Sequence, residues 1–184
     1  MDNSQGTPAA IEVDGLSVSG VQGLQIASLR YFDPAGSFAH RVRDTVGRPL
    51  PEPMRALQGD RATKDAQVIL LWRSPTETIL LCSDRAAFAE FERQLGADAH
   101  EQGCLVDQTG GVCVLRVQGP RARDLLVRLG ATTVIPGVGE ARSGRLAELH
   151  VLTACLPAGE FLLLVEQVYA NHLREWIGVT VADF

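Results

Sequence analysis

Four histidines and four cysteines are the side chains of this 184-residue sequence best suited to nucleophilic or metal chemistry. His40 and His172 fall between apolar positions of helical segments, His150 lies in a strand-like run, and His100 sits in the polar link GADAHEQG. None has a second histidine or a carboxylate at a metal-binding interval such as HxxxH. Each therefore reads as a satisfied or exposed structural residue. His100 and Cys104 could be drawn as base and nucleophile, but they stand four apart in a loop with no third residue to orient them. Cys82, Cys113 and Cys155 lie within apolar stretches and none of the four cysteines forms a CxxC pair. Reduced thiols are expected, because a free cysteine behaves as a small hydrophobe, and zinc sites and disulfides need a spacing or a secretory context that is absent.

Anion chemistry has two weak candidates. DQTGG (107–111) lacks GxGxxG and GK[ST], and a strand rather than a helix follows it, so Asp107 reads as a turn former accepting backbone N–H bonds. GPRARD (119–124) opens a helix, where Arg121 and Arg123 are a possible anion contact; the simpler reading is a solvated face opposite Ala122, Leu125 and Leu126. At a hairpin apex, Trp72 and Arg73 are either a partner interface, for which an aromatic with an arginine is a common pairing, or ordinary packing. No catalytic residue, cofactor-binding residue or metal ligand is expected in this chain.

Bulk properties narrow the partners. Seventeen basic and 22 acidic residues give a net charge of −5, and Lys64 is the sole lysine. Nucleic acid is not expected as a partner, since its binding relies on Lys and Arg neutralising phosphates. Mean hydropathy is +0.06 and 46% of residues are apolar, enough for one domain or two fused halves. The N-terminus has no basic n-region or apolar h-region, so no signal peptide is expected. No apolar run approaches the roughly 20 residues that span a bilayer, and a cytoplasmic location is expected.

The elements that must hold these residues follow from periodicity. Residues 1–20 read as a flexible tail with a short edge strand at Ile11–Val13. LQIASLRYF (24–32) reads as a strand, and Phe38, Val42 and Val46 mark one face of a helix that ends at Gly47. A long Pro-rich connection spans 48–66. QVILLW (67–72) and TILLC (78–82) form a hairpin whose near-continuous apolarity predicts burial on both faces. Ser83 or Asp84 caps the next helix, with Phe88, Phe91 and Leu95 buried and Gly96 at its end. After a polar link, VCVLRV (112–117) is a strand. The helix of 119–130 has Pro120 suited to its first position, a stripe Ala122–Leu125–Leu126–Leu129, and Gly130 beyond. A Gly-rich connection covers 131–144. RLAELHVLTA (145–154) and EFLLLVE (160–166) form a second hairpin. The last helix buries Tyr169, Leu173, Trp176 and Ile177 and stops at Gly178.

The chain thus reads β-α-ββ-α twice. Gly47 and Gly130, Glu77 and Glu160, and Leu81 and Leu164 are each 83 residues apart; Gly96 and Gly178 are 82 apart. The expected fold is α+β: duplicated βαββα units in one domain (21–184, with pseudo-repeats of about 21–100 and 101–184). A mostly antiparallel sheet carries helices packed on one side.

Four phrases in this order resemble the gamma subunit of bacterial four-subunit sarcosine oxidase, which is itself similar to the folate-binding domains of the glycine-cleavage aminomethyltransferase. They are VGRPLPEP (46–53), LWRSPTETILL (71–81), VDQTGGVCVLRVQGPRARDLL (106–126) and EFLLLVEQVYANHLREWI (160–177). The chain departs from the family at Ser74, where Gly is frequent, and at Glu166-Gln167, which replaces an Arg-Ser turn. The resemblance implies a non-catalytic accessory subunit of a flavin-dependent complex that oxidatively demethylates sarcosine. Its partners would be larger flavoprotein subunits, to which FAD, FMN, NAD and tetrahydrofolate would belong. The alternative is a free-standing folate-binding module or tetrahydrofolate-dependent one-carbon transferase, with a buried carboxylate such as Asp107 holding the pterin.

Overall fold

Runs of consecutive apolar residues decide the architecture, because a strand apolar on both faces must be covered on both. The computed structural model describes residues 10–59, 67–96 and 102–184. From the N-terminus come β1 (Ile11–Val13), β2 (Leu16–Gly20), β3 (Gln25–Tyr31), α1 (Ser37–Val46), β4 (Ala56–Gly59), β5 (Val68–Ser74), β6 (Glu77–Cys82) and α2 (Arg85–Gly96). The chain continues with β7 (Gly103–Asp107), β8 (Val112–Gln118), α3 (Ala122–Leu129), β9 (Glu140–Leu146), β10 (Leu149–Cys155), β11 (Phe161–Glu166) and α4 (Ala170–Val181). The α+β class and the antiparallel pairing hold, and the strands divide into two sheets, β4-β5-β6-β3-β7 and β1-β2-β8-β11-β10-β9.

The two sheets are copies of one plan. β4, β5, β6, β3 and β7 of the first correspond in order to β9, β10, β11, β8 and β2 of the second. Register agrees as well: Leu81 faces Ile26 across β6–β3, and Leu164 faces Val114 across β11–β8. Each copy also holds strands that the βαββα reading leaves out, β4 and β7 in one sheet and β2 and most of β9 in the other.

Three apolar layers result. Phe38, Val42 and Val46 of α1, with Phe88, Phe91 and Leu95 of α2, pack on Leu29, Leu70 and Leu80. Leu125 and Leu126 of α3, with Leu173 and Ile177 of α4, pack on Leu115 and Leu163. Between the bare sheet faces lies a shared layer that includes Ile26, Leu71, Leu81, Leu152, Leu162 and Leu164. Burying one such side chain contributes about 1.5–3 kcal/mol, so neither half can give up the other cheaply.

A two-fold clasp joins the sheets at their β4 and β9 edges. Ala56 N–H donates to the Gly139 carbonyl at 3.0 Å, and Ala141 N–H donates to the Met54 carbonyl at 2.9 Å. Met54 and Gly139 are equivalent positions, and both are left-handed, at φ 60° and 75°. Arg55 and Glu140 lie opposite one another at the centre.

Local expectations hold where caps govern them. Gly47 adopts φ 75° and donates to the Arg43 carbonyl, and the Asp84 carboxylate accepts from Ala87 N–H at 2.6 Å. Others need correction. The edge strand expected at Ile11–Val13 is β1, but Leu16–Gly20, placed in the flexible tail, form β2; residues 1–9 lie outside the described ones, as does 60–66 of the Pro-rich connection. RLAELHVLTA is not one strand: Ala147 and Glu148, at φ 49° and 62°, make a tight turn between β9 and β10. Neither residue is a usual choice for a turn with positive φ, so the sequence gives no warning of it. α3 begins at Ala122, two residues after Pro120. Gly130 is extended rather than a left-handed cap; it is required because a Cβ there would strike the Arg145 carbonyl at 2.6 Å. α4 runs through Gly178 to Val181, and Tyr169 and Trp176 are each 47% exposed instead of buried. Its buried stripe is Ala170, Leu173, Ile177 and Val181, and the two aromatics fall beside it.

Two outcomes follow from this packing. Trp72 and Trp176 report on different halves, so their fluorescence in single-tryptophan variants should give coincident urea midpoints, and Leu164→Ala should lower the unfolding free energy that each reports by about 2–5 kcal/mol. Gly119, at φ 106°, would drive a Cβ into the Gly15 carbonyl, whereas Gly139 has open space around it. Gly119→Ala should therefore cost more than about 2 kcal/mol and Gly139→Ala about 1 kcal/mol, measured by the same melts.

Candidate functional site

The most concentrated set of charged and polar groups surrounds Glu77, the first residue of β6. A bulge between Trp72 and Ser74 inserts Arg73 as an extra residue in β5, and such a bulge re-aims the side chain it carries. Arg73 Nε lies 3.5 Å from one Glu77 oxygen. Arg30, directly opposite on β3, places its Nε 3.6 Å from the other, and the fully buried Ser28 donates its hydroxyl to that oxygen at 2.5 Å. One carboxylate thus ties three neighbouring strand positions together.

Glu160 makes the same kind of contact in the other half. It lies 3.5 Å from Arg116 Nε and accepts from Gln118 Nε2 at 2.8 Å. Gln118 and Arg116 occupy on β8 the places that Arg30 and Ser28 occupy on β3. A carboxylate that recurs at equivalent positions, with equivalent partners, is accounted for by the repeat itself: it pins the last hairpin strand to the first strand.

Two clefts adjoin the Glu77 cluster. The first, about 560 Å³, opens between the sheets and takes Arg30, Arg73 and Glu77 from one side and His150, Leu152 and Leu164 from the other. The second, about 500 Å³, runs past Tyr31, Phe32 and Thr76 to Gly103 and Cys104 at the sheet edge. Both are open to solvent, and the arginines within them, Arg30 and Arg73, already face Glu77. That arrangement can hold a polar or charged group; it offers no base aligned on a nucleophile.

The sequence-nominated residues are dispersed. Trp72 is half-buried in β5, and Arg73 is committed to Glu77. Arg121 stacks on the Phe184 ring at 4.0 Å from its centroid, with Arg128 over the same ring at 4.6 Å, and Arg123 donates to the Pro136 carbonyl at 3.1 Å. Asp107 is exposed and accepts from Thr109 N–H at 2.8 Å, the turn role read from its setting. His40, His150 and His172 are exposed, and His100 lies outside the described residues. All four cysteines are free, and burial pushes the thiols of Cys82, Cys113 and Cys155 up, which keeps them protonated at neutral pH. Among the described residues no group of three or more His, Cys, Asp or Glu is placed to hold a metal ion, and no helix is long and apolar enough to cross a membrane. The partners of Glu77 went unread because Ser28 and Arg30 lie nearly fifty residues away; only strand pairing brings them together.

No family model and no curated protein matches the chain. Solved structures do. A chain of heterotetrameric sarcosine oxidase from Corynebacterium sp. U-96, in complex with pyrrole 2-carboxylate, superposes with a TM-score of 0.79 at 21% identity, covering 95% of this chain and 88% of that one. The glycine cleavage system aminomethyltransferase T from Bartonella henselae superposes with a TM-score of 0.67 at 14% identity. There the match covers 89% of this chain but 45% of the transferase. The resemblance read from four sequence phrases therefore holds at the level of the fold: this chain is built like a chain of a heterotetrameric sarcosine oxidase, and like about half of an aminomethyltransferase.

Proposed function

We propose that this chain is a non-catalytic accessory subunit of a flavin-dependent complex that oxidatively demethylates sarcosine. The observation that carries this reading is the reciprocal coverage with the sarcosine oxidase chain, 95% of this chain against 88% of that one. The side chains support it. Glu77 and Glu160 are occupied in holding strands together, three thiols are kept protonated, and the described histidines sit on the surface. In this reading the flavins, NAD and tetrahydrofolate belong to larger partner chains, where the amine is oxidised to an imine.

The rival reading, a free-standing folate module, finds less support. Its carboxylate anchor, Asp107, faces solvent and is taken up by its own turn. Tetrahydrofolate titrated into the isolated chain should give no saturable heat; a saturable signal would favour the rival. Tagged protein isolated from its native host should carry flavin-bearing chains in fixed proportion, and the assembly should turn sarcosine into formaldehyde. Recovery as a lone monomer, free of flavoprotein, would defeat the subunit reading.

A further inference from the structure

Half of the large apolar side chains exposed among the described residues fall on one short segment: Val168 and Tyr169 in the turn before α4, and Trp176 and Val179 on the helix. α4 buries Ala170, Leu173, Ile177 and Val181 on its inner side and presents an outward stripe of His172, Trp176, Val179 and Asp183, all exposed. At about 100° per residue these four lie within roughly 60° of one another around the helix. Asp183 stays in line because Ala182 continues the helical backbone at φ −63° and ψ −20°, and the Phe184 N–H closes the last turn on the Val181 carbonyl. Val179, in the middle, is 69% exposed. A grouped apolar patch of this kind marks a contact surface.

The stripe is complementary to itself. Turned end over end against a second α4, His172 comes opposite Asp183 and Trp176 comes opposite Val179, because both pairs are centred on the same point, between Ile177 and Gly178. A two-fold contact repeats each pairing, giving two imidazole–carboxylate pairs at the ends and two Trp–Val contacts at the middle. The polar ends are available for it. Among the described residues the Asp183 carboxylate has no hydrogen bond or ion pair, and the His172 ring only tilts against Trp176, with centroids 6.4 Å apart. Glu175, at the margin of the stripe, falls opposite Thr180, whose hydroxyl donates to its own Trp176 carbonyl at 2.7 Å, so no like charges meet.

We propose that the outer face of α4 is a contact between two copies of this chain, packed antiparallel about a two-fold axis. Trp176 of each copy rests on Val179 of the other, and the His172 N–H donates to the Asp183 carboxylate across the junction. An aromatic anchor at the centre with polar groups at the rim is the usual anatomy of such contacts. The order of the stripe selects the arrangement: packed parallel, His172 would meet His172 and Asp183 would meet Asp183. About three turns of helix on each side make a small interface, so the dissociation constant is on the order of 10–100 µM. The contact does not depend on the subunit reading, because it forms in the isolated chain.

Sedimentation equilibrium on the purified full chain should find monomer near about 1 µM and dimer near about 500 µM. Val179→Glu, at a position open to solvent, should leave the fold intact and abolish the dimer. His172→Asp and Asp183→His should each weaken it by roughly tenfold, because either change is felt twice across the two-fold. The double exchange, His172→Asp with Asp183→His, should bring the affinity back to within about twofold of the starting chain. A chain still monomeric at about 500 µM would overturn the proposal, whether or not it assembles with flavoproteins. A dimer indifferent to Val179→Glu, or a double exchange that recovers nothing, would overturn it as well.

Discussion

The layer between the two sheets is the constraint from which the rest of the structure follows. Each half writes leucines and isoleucines on successive strand positions: Ile69–Leu70–Leu71 in β5 and Leu162–Leu163–Leu164 in β11. Alternate members point to the helices, and the others point away from them. Two helices can cover only one face of a sheet, so the remaining face of each half is satisfied by the corresponding face of the other. A duplicated unit with a double-sided apolar sheet is thereby committed to a paired architecture. The space between the sheets is filled by the chain's own second copy.

Pairing on an internal two-fold places matching pieces of backbone together at the axis. The clasp at Met54–Ala56 and Gly139–Ala141 is such a place, with the same hydrogen bond made in both directions. Its left-handed residue is a glycine in one copy and a methionine in the other. The backbone geometry has been retained even where the side chain is unfavourable for it, as expected if the clasp aligns the sheets. Away from the axis the copies diverge: Arg30 and Ser28 surround one repeated glutamate, Gln118 and Arg116 the other. Divergence is concentrated at the periphery, where a change does not disturb the shared layer and where partners can be met.

Much of this was legible in the sequence. The helices with apolar stripes at intervals of three and four, the αL glycine at Gly47 and the Asp84 cap all follow from interactions within one or two turns. The hairpins also emerge, because a short connection leaves two apolar strands little choice of neighbour. β4, β7 and β9 did not: they are edge strands whose polar or mixed residues lack the apolar signature of a central strand. The turn at Ala147–Glu148 was hidden because its backbone is held by the ladder on either side rather than by its residue types. The aromatics of α4 were misplaced because a helix of mixed hydrophobicity has more than one plausible buried stripe, and the sheet beneath selects among them.

By itself, then, the amino-acid sequence determined that this protein is two copies of one unit, each too apolar on its strands to stand alone. Local periodicity and burial require nothing more than the order of residues. Which strands complete each sheet and which groups surround Glu77 were decided only in three dimensions. The hydrogen bonds that join β2 to β8 and β3 to β7 are made by backbone groups common to nearly every residue, so their partners are fixed by packing of the assembled layers and not by any local motif.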